Sequence, residues 1–302
     1  MPKATSPTPR PRNLPLGMTI IHEDRDILVV NKPSGLLTMG TDSQKERTAY
    51  FMLTDYIRKG ATKSKLRIFI VHRLDRDTSG VLLFAKNEEA KKYLQENWEG
   101  NQKQYLAIVH GHCREKSGTV ESYLIESSAL MVYATNDRVK GRLASTSYRV
   151  VKEVEGFSLL LVTPHTGRKN QIRVHLADLG HPIVGDKKYG VEKDGFKRLA
   201  LHAASLTFTH PFRKELCTFS APPPGWFGKL VGKIGTNWPQ EKKSGSDIPV
   251  GGEITLVKSP LSTAIKKAPD KPAASARPTS KPLPPGNRPR AARPPRRRKQ
   301  DG

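Results

Sequence analysis

Asp75 stands inside a segment of nine mostly polar residues, His72-Arg73-Leu74-Asp75-Arg76-Asp77-Thr78-Ser79-Gly80, with Arg73 and Arg76 close by. A carboxylate in cationic company is a candidate nucleophile or base. Apolar runs flank the segment, Ile68-Phe69-Ile70-Val71 before it and Val81-Leu82-Leu83-Phe84-Ala85 after it. A simple hairpin connection needs only about two to five residues. Asp77, Thr78, Ser79 and Gly80 have the chemistry of a turn: short side-chain oxygens for backbone N–H groups, then a glycine for unusual dihedrals. Taken alone, the same residues read more readily as a long ion-paired turn with no catalytic role.

Two further segments carry reactive groups. In Lys103-Gln104-Tyr105-Leu106-Ala107-Ile108-Val109-His110-Gly111, strand alternation puts Tyr105, Ala107 and Val109 on one face. Tyr105 is there either a core residue with a tethered hydroxyl or a group that stacks on a base and relays a proton. In Thr166-Gly167-Arg168-Lys169-Asn170-Gln171-Ile172-Arg173-Val174-His175-Leu176, a Thr-Gly turn leads into a helix with polar and basic residues at its start. Such a start suits phosphate oxygens. Arg173 could instead pair with an acidic group, or the basic face could simply be solvated. His110, His112 and Cys113 also cluster, but no further ligands complete a metal site, and polar residues at a strand end are the simpler account.

The elements that must hold these groups form a mixed pattern. Val-, Ile- and Leu-rich runs predict strands near 19–22, 27–30, 68–71, 81–85, 104–110, 146–151 and 157–163. Helical periodicity fits 48–58, 88–98 and 171–179, with Gly180 placed to end the last helix. The fold class expected is α+β, with a mixed, mostly antiparallel sheet flanked by helices and loops. Gly185-Asp186-Lys187-Lys188-Tyr189-Gly190 reads as a turn and lacks the spacing of a phosphate loop.

Charge narrows the partner. The net charge is +24 over 302 residues. Residues 241–302 contribute +10 of it and residues 1–16 contribute +3, which leaves +11 on 17–240. A positive field of that size attracts polyanions, nucleic acid first among them, although a membrane surface or an acidic protein would also suit. Residues 241–302 contain eleven prolines and no aromatic residue. Such a tail cannot bury enough apolar area to offset its ordering entropy. The expected organisation is a disordered basic N-terminus (1–16), one catalytic domain (17–240) and a disordered Pro/Lys/Arg-rich tail (241–302). The tail is either an electrostatic tether for RNA or a solubilising extension. Two cysteines, no secretory signal and no long apolar run point to a cytoplasmic chain.

Taken in order, these segments resemble the motifs of the RluA-type RNA pseudouridine synthase family. Asn31-Lys32-Pro33-Ser34-Gly35 resembles its opening motif, and His72–Gly80 its catalytic motif. Residues 103–111 resemble the tyrosine-bearing strand, and 166–190 the last core motif. Leu201-His202-Ala203 and His210-Pro211 fit the segment after that motif. The match spans about residues 18–220. It departs where the family more often has His and this chain has Asn170.

The resemblance implies the pseudouridine-synthase catalytic fold and the conversion of uridine to pseudouridine in ribosomal or transfer RNA. It implies no cofactor and no metal, RNA as partner, and a monomer without an obligate protein partner. Asp75 would be the essential carboxylate, Tyr105 would stack on the target uracil, and Arg173 would pair with Asp75. Arg73 would enter the space a flipped base vacates. Arg73, His72, Arg168, Lys169 and Lys32 are the expected RNA contacts. For His72, a structural hydrogen bond within the loop is the stronger reading. Two rivals remain. A non-catalytic RNA-binding or ribosome-assembly protein fits the charge but not a retained Asp75, Tyr105 and Arg173 together. A glycosidase or nuclease would need Asp75 and Asp77 in one cleft.

Overall fold

The computed structural model describes residues 12–40, 46–59, 61 and 63–235. In chain order, β1 is Arg12–Asn13, β2 Thr19–Glu23, β3 Ile27–Lys32, α1 Ala49–Arg58, β4 Phe69–Ile70 and β5 Ser79–Ala85. Then come α2 Glu88–Glu96, β6 Gln102–His110, β7 Ser117–Glu126, β8 Val132–Thr135, β9 Arg142–Val154 and β10 Phe157–Pro164. The last elements are α3 Gln171–Asp178, β11 Leu201–Thr209, β12 Leu216–Ser220 and α4 Gly225–Val231.

All the strands join one sheet in the order β1-β2-β3-β5-β11-β6-β10-β9-β7-β8, with β4 added to β5 and β12 to β11. The β5–β11 pair is parallel, and its neighbours β3–β5 and β11–β6 are antiparallel. The fold is therefore α+β with a mixed, mostly antiparallel sheet, as the sequence predicts.

Alternation along β3 and β5 explains their nearly unbroken apolar runs. Leu28, Val30, Leu82 and Phe84 pack with Ala49 and Leu53 of α1. Ile27, Val29, Val81 and Leu83 face the other way, onto Ala90 and Leu94 of α2. A strand covered on both faces needs apolar residues at every position. Thr48 and Asn87 start the two helices by accepting the N–H groups of Phe51 and Ala90. A third cluster joins β6 and β10 to Ile172 and Leu176 of α3 and to Phe227 and Val231 of α4.

The seven expected strands and three expected helices all occur, with shifted ends. β9 extends past 146–151 at both ends, and α2 stops at Glu96. β7, β8, β11, β12 and α4 have weak local patterns: β7 mixes exposed and buried residues, and β11 holds Ala203, Ala204 and Ser205 at its centre. Pairing with neighbours, rather than intrinsic preference, makes them strands. Within the N-terminal segment expected to lack structure, Arg12 and Asn13 pair with Ile20 and Thr19. Residues 1–11 and the tail 241–302 lie outside the described residues. Among those described, no helix is long and apolar enough to cross a membrane.

Two buried histidines tie distant parts of this core. His202 Nε2 donates to the Ala221 carbonyl at 3.1 Å, so its Nδ1 accepts the Ser79 hydroxyl at 2.9 Å. His175 joins Thr146 and Ser122 at 2.9 and 3.0 Å. Burial pushes both imidazoles down to about 4. The unfolded chain takes up these protons near its ordinary value of about 6.5, whereas the fold refuses them. Stability is thus full above about pH 6.5 and declines as pH falls toward 4. By pH 5 each histidine should cost about 2 kcal/mol. Urea unfolding at pH 7 and pH 5 checks this, and an unchanged midpoint would contradict it.

Candidate active site

β4 and β5 form an antiparallel pair, Phe69 opposite Ala85 and Ile70 opposite Phe84, so His72–Thr78 belongs to the long connection between them, and Ser79 and Gly80 open β5. The segment after β3 cages that connection. Thr38 Oγ1 donates to the Leu74 carbonyl at 2.9 Å and accepts the Leu74 N–H at 3.2 Å. The Gly35 N–H donates to the Arg76 carbonyl at 2.9 Å, and Ser34 Oγ to that of Asp77 at 2.7 Å. Asp75 lies between these fixed points. At the far end, Gly80 has φ +116°, and a Cβ there would sit 2.1 Å from the Ala203 carbonyl oxygen. Only glycine lets β5 approach β11 this closely.

Lys32 is a correction. Expected to meet RNA, it is fully buried. Its Nζ donates to the carbonyls of Pro33, Leu36 and Arg76 at 3.0, 2.8 and 3.1 Å. Its length lets it reach under the loop, so it acts as a brace. Burial lowers its pKa to about 7, while Asp77 and Asp75 oppose the shift. Lys32→Met keeps the volume but takes the ammonium from the Pro33 and Leu36 carbonyls and leaves that of Arg76 with the Gly35 N–H. A stability loss of about 1–3 kcal/mol is expected, with lower activity as the loop loosens. Thermal unfolding and turnover measured together check it, and an unaltered melting point would count against the brace.

A cavity of about 270 Å³ opens above the loop, lined among others by Asp75, Tyr105 and Arg173. Three segments about 30 and 70 residues apart in sequence thus meet at one place. Tyr105 comes from the centre of the sheet, between β10 and β11. Burial and the negative Asp75 raise its pKa, which keeps the phenol protonated. Arg173 comes from the first turn of α3. Its Nη1 reaches Asp75 Oδ2 at 3.4 Å.

The principal partner of Arg173 is another group. Asp186, whose side chain is wholly buried, receives Nε and Nη2 at 2.8 and 2.7 Å in a bidentate pair. Asp186 Oδ1 also accepts the N–H groups of Lys188 and Tyr189. Asn170 Oδ1 takes Nη1 at 3.2 Å, and Asn170 Nδ2 donates to the Tyr189 hydroxyl at 3.0 Å. The guanidinium carbon lies 5.1 Å from the Tyr189 ring centre. Arg173 is therefore held on three sides, and the remaining side faces Asp75. Asp186 was legible only as part of a turn, because its pairing with a helix thirteen residues earlier has no local signature. Asn170 has φ +54°, a conformation Asn tolerates better than most residues.

The other expected site residues divide. Arg73 is exposed and lines the cavity, and its side chain has no hydrogen-bond partner among the described residues. His72 also lines it, but its bond runs to β5, where Nε2 accepts the Leu83 N–H at 3.0 Å. Its ring stacks on Trp98 at 4.5 Å. Arg168 is exposed and lines the cavity, donating to the Leu143 carbonyl, whereas Lys169 is exposed, outside the lining, and pairs with Glu126. Trp98 and Lys103 line the same cavity and were not singled out in the sequence. Asp77 is exposed and is absent from the lining, so the two-carboxylate cleft of a glycosidase is not built here. Ser79 bonds His202 rather than a local backbone N–H.

Metal-type groupings lie elsewhere. Among the described residues, Asp24, Asp26 and His210 bring ligand atoms within 4.8 Å. Asp24 already accepts from the backbone of Asp26 and Ile27 and from His22 and His210. His110 faces Asp194, and His112 bonds the Val154 carbonyl.

The chain has known relatives. A family model described as RNA pseudouridylate synthase matches residues 26–178. The chain is 36% identical over 227 residues to the tRNA pseudouridine synthase C of Haemophilus ducreyi, covering 68% of this chain and 90% of that one. It is 34% identical over 228 residues to the ribosomal large subunit pseudouridine synthase C of Vibrio vulnificus, covering 72% and 70%. The solved structure of human RNA pseudouridylate synthase domain containing 4 superimposes with a TM-score of 0.58 at 25% identity, covering 69% of this chain and 89% of that one. The chain belongs to the RluA-type family of RNA pseudouridine synthases.

Proposed function

We propose that this chain converts specific uridines in structured RNA, ribosomal or transfer, to pseudouridine, with Asp75 as the catalytic carboxylate acting on a flipped base. The observation that carries the reading is the meeting of Asp75, Tyr105 and Arg173 in one cavity, with Arg173 Nη1 3.4 Å from Asp75 Oδ2. The names of the bacterial relatives support the two RNA classes.

The chemistry needs little else. The bond from uracil N1 to C1′ of the ribose breaks, the uracil turns, and C5 bonds to C1′. The C5 proton leaves and N1 gains one, so no electrons are exchanged with an outside partner. A carboxylate at Asp75 can help by attacking the sugar or by removing a proton from it. Tyr105, kept neutral by burial, offers an aromatic face to the uracil and a hydroxyl near the proton that departs. Arg173 holds Asp75 aimed without reorganising during the reaction, because Asp186 already fixes it. Extruding the base costs a few kcal/mol. Arg73, exposed at the cavity, suits the vacated stack, since a guanidinium plane stacks on bases.

The test is tritium release from RNA labelled at C5 of uridine, followed by pseudouridine mapping of ribosomal and transfer RNA with and without the gene. Release by the wild-type chain and loss of mapped sites in the deletion are expected. An inert wild-type chain on total cellular RNA would sink the reading.

A further inference from the structure

Lys103 is a cation at the cavity that the chemistry above does not use. It sits two residues before Tyr105 on β6, so both side chains leave the same face of the strand, and both line the cavity. Gln104 between them points away, where its Oε1 accepts from Ser205 Oγ. The Lys103 ammonium lies 5.4 Å from the ring centre of Trp98. On Trp98 the His72 imidazole is stacked, fixed by its bond to Leu83.

Beside Lys103 this wall presents two uncharged rings, Trp98 and His72. Burial, aided by the Lys103 charge, pushes His72 down to about 3, so its ring is neutral at working pH. Asp75, the carboxylate of the cavity, faces Arg173. Lys103 has no hydrogen bond or ion pair among the described residues, and partial burial lowers its pKa, with Glu99 opposing. A poorly solvated, unmatched ammonium gains most from an anion.

We propose that Lys103 binds a backbone phosphate of the RNA, the one beside the nucleotide whose base enters against Tyr105. Two residues along a strand span about 7 Å, the scale that separates a base from its own phosphate. The inference rests on the proposed function: base inside, phosphate at the rim. Trp98 acts as the shelf that keeps the ammonium there, and His72 as the prop behind the shelf. Lys103 is thereby a binding residue rather than a catalytic one.

The experiment uses the full chain in two arms. In the first, binding of fluorescent oligouridylate is titrated against salt for the wild type, Lys103→Gln and Lys103→Arg. Loss of one phosphate contact should lower the slope of log affinity against log salt by about 0.7. The Gln variant should show that drop, and the Arg variant should keep the wild-type slope. In the second arm, tritium release from labelled cellular RNA should show the effect of Lys103→Gln in KM, about tenfold, rather than in kcat. Lys103→Met, which keeps the stem on Trp98, should match the Gln variant. An unchanged salt slope in both uncharged variants, or an effect confined to kcat, overturns the proposal. If the wild type releases no tritium, the proposed function fails, yet the salt arm still decides whether Lys103 meets a phosphate.

Discussion

Asp75→Asn is expected to cut tritium release from C5-labelled RNA at least about 10⁴-fold, the scale lost when one member of a catalytic unit is removed. RNA binding should stay within a few-fold of wild type. The replacement keeps the shape and removes the charge that attack or proton removal requires. It should not disturb the fold. The loop backbone on either side is held by Thr38, Gly35, Ser34 and Lys32, none of which touches the Asp75 side chain. Arg173 also keeps its main partner, Asp186, and Lys32 keeps the nearby charge of Asp77. Asp77→Asn is the control: its side chain is exposed and outside the cavity, so near-normal release is expected. Activity of Asp75→Asn within tenfold of wild type would remove Asp75 from the chemistry.

Asp186→Ala should have the next largest effect, and on two quantities at once. It leaves Arg173 largely buried without its bidentate partner, and breaking such a pair from one side costs about 3–5 kcal/mol. It also frees the guanidinium to swing. A displacement of about 1 Å in a positioning group costs about 10²-fold in rate, so kcat should fall on that order while KM changes little. Asp186→Asn restores one acceptor and the shape, and should recover part of both losses. Urea unfolding and tritium-release kinetics measure the pair of effects. A variant with wild-type stability and wild-type kcat would show that Asp186 does not hold Arg173 in place.

Lys32 and Asp186 show where local pattern stops. Lys32 looks like any basic residue near a glycine turn, and a basic residue in an RNA enzyme suggests a phosphate contact. Only the path of the chain from residue 33 to 38 beneath the loop reveals three carbonyls around its Nζ. Asp186 looks like turn chemistry, and it does cap a turn, through Lys188 and Tyr189. Its second task exists only because α3 brings Arg173 alongside. His72 falls between the two cases: a structural bond was foreseen, but its partner is β5 rather than the loop.

The sequence by itself determined β2 to β6, β9 and β10, the helices α1 to α3 and the three segments that carry Asp75, Tyr105 and Arg173, but not the central strand β11 or the covering helix α4. The former are legible because burial on one or both faces imposes a period of apolar residues, and because turns demand particular residue types. The tertiary structure alone decided which side chains face the cavity. It turned Lys32 inward as a brace, set Asp186 behind Arg173, and left Lys103 on its Trp98 shelf. Pairing between residues far apart in the chain leaves no periodic trace in it, since a buried charge answers to whatever the fold brings within about 3 Å of it.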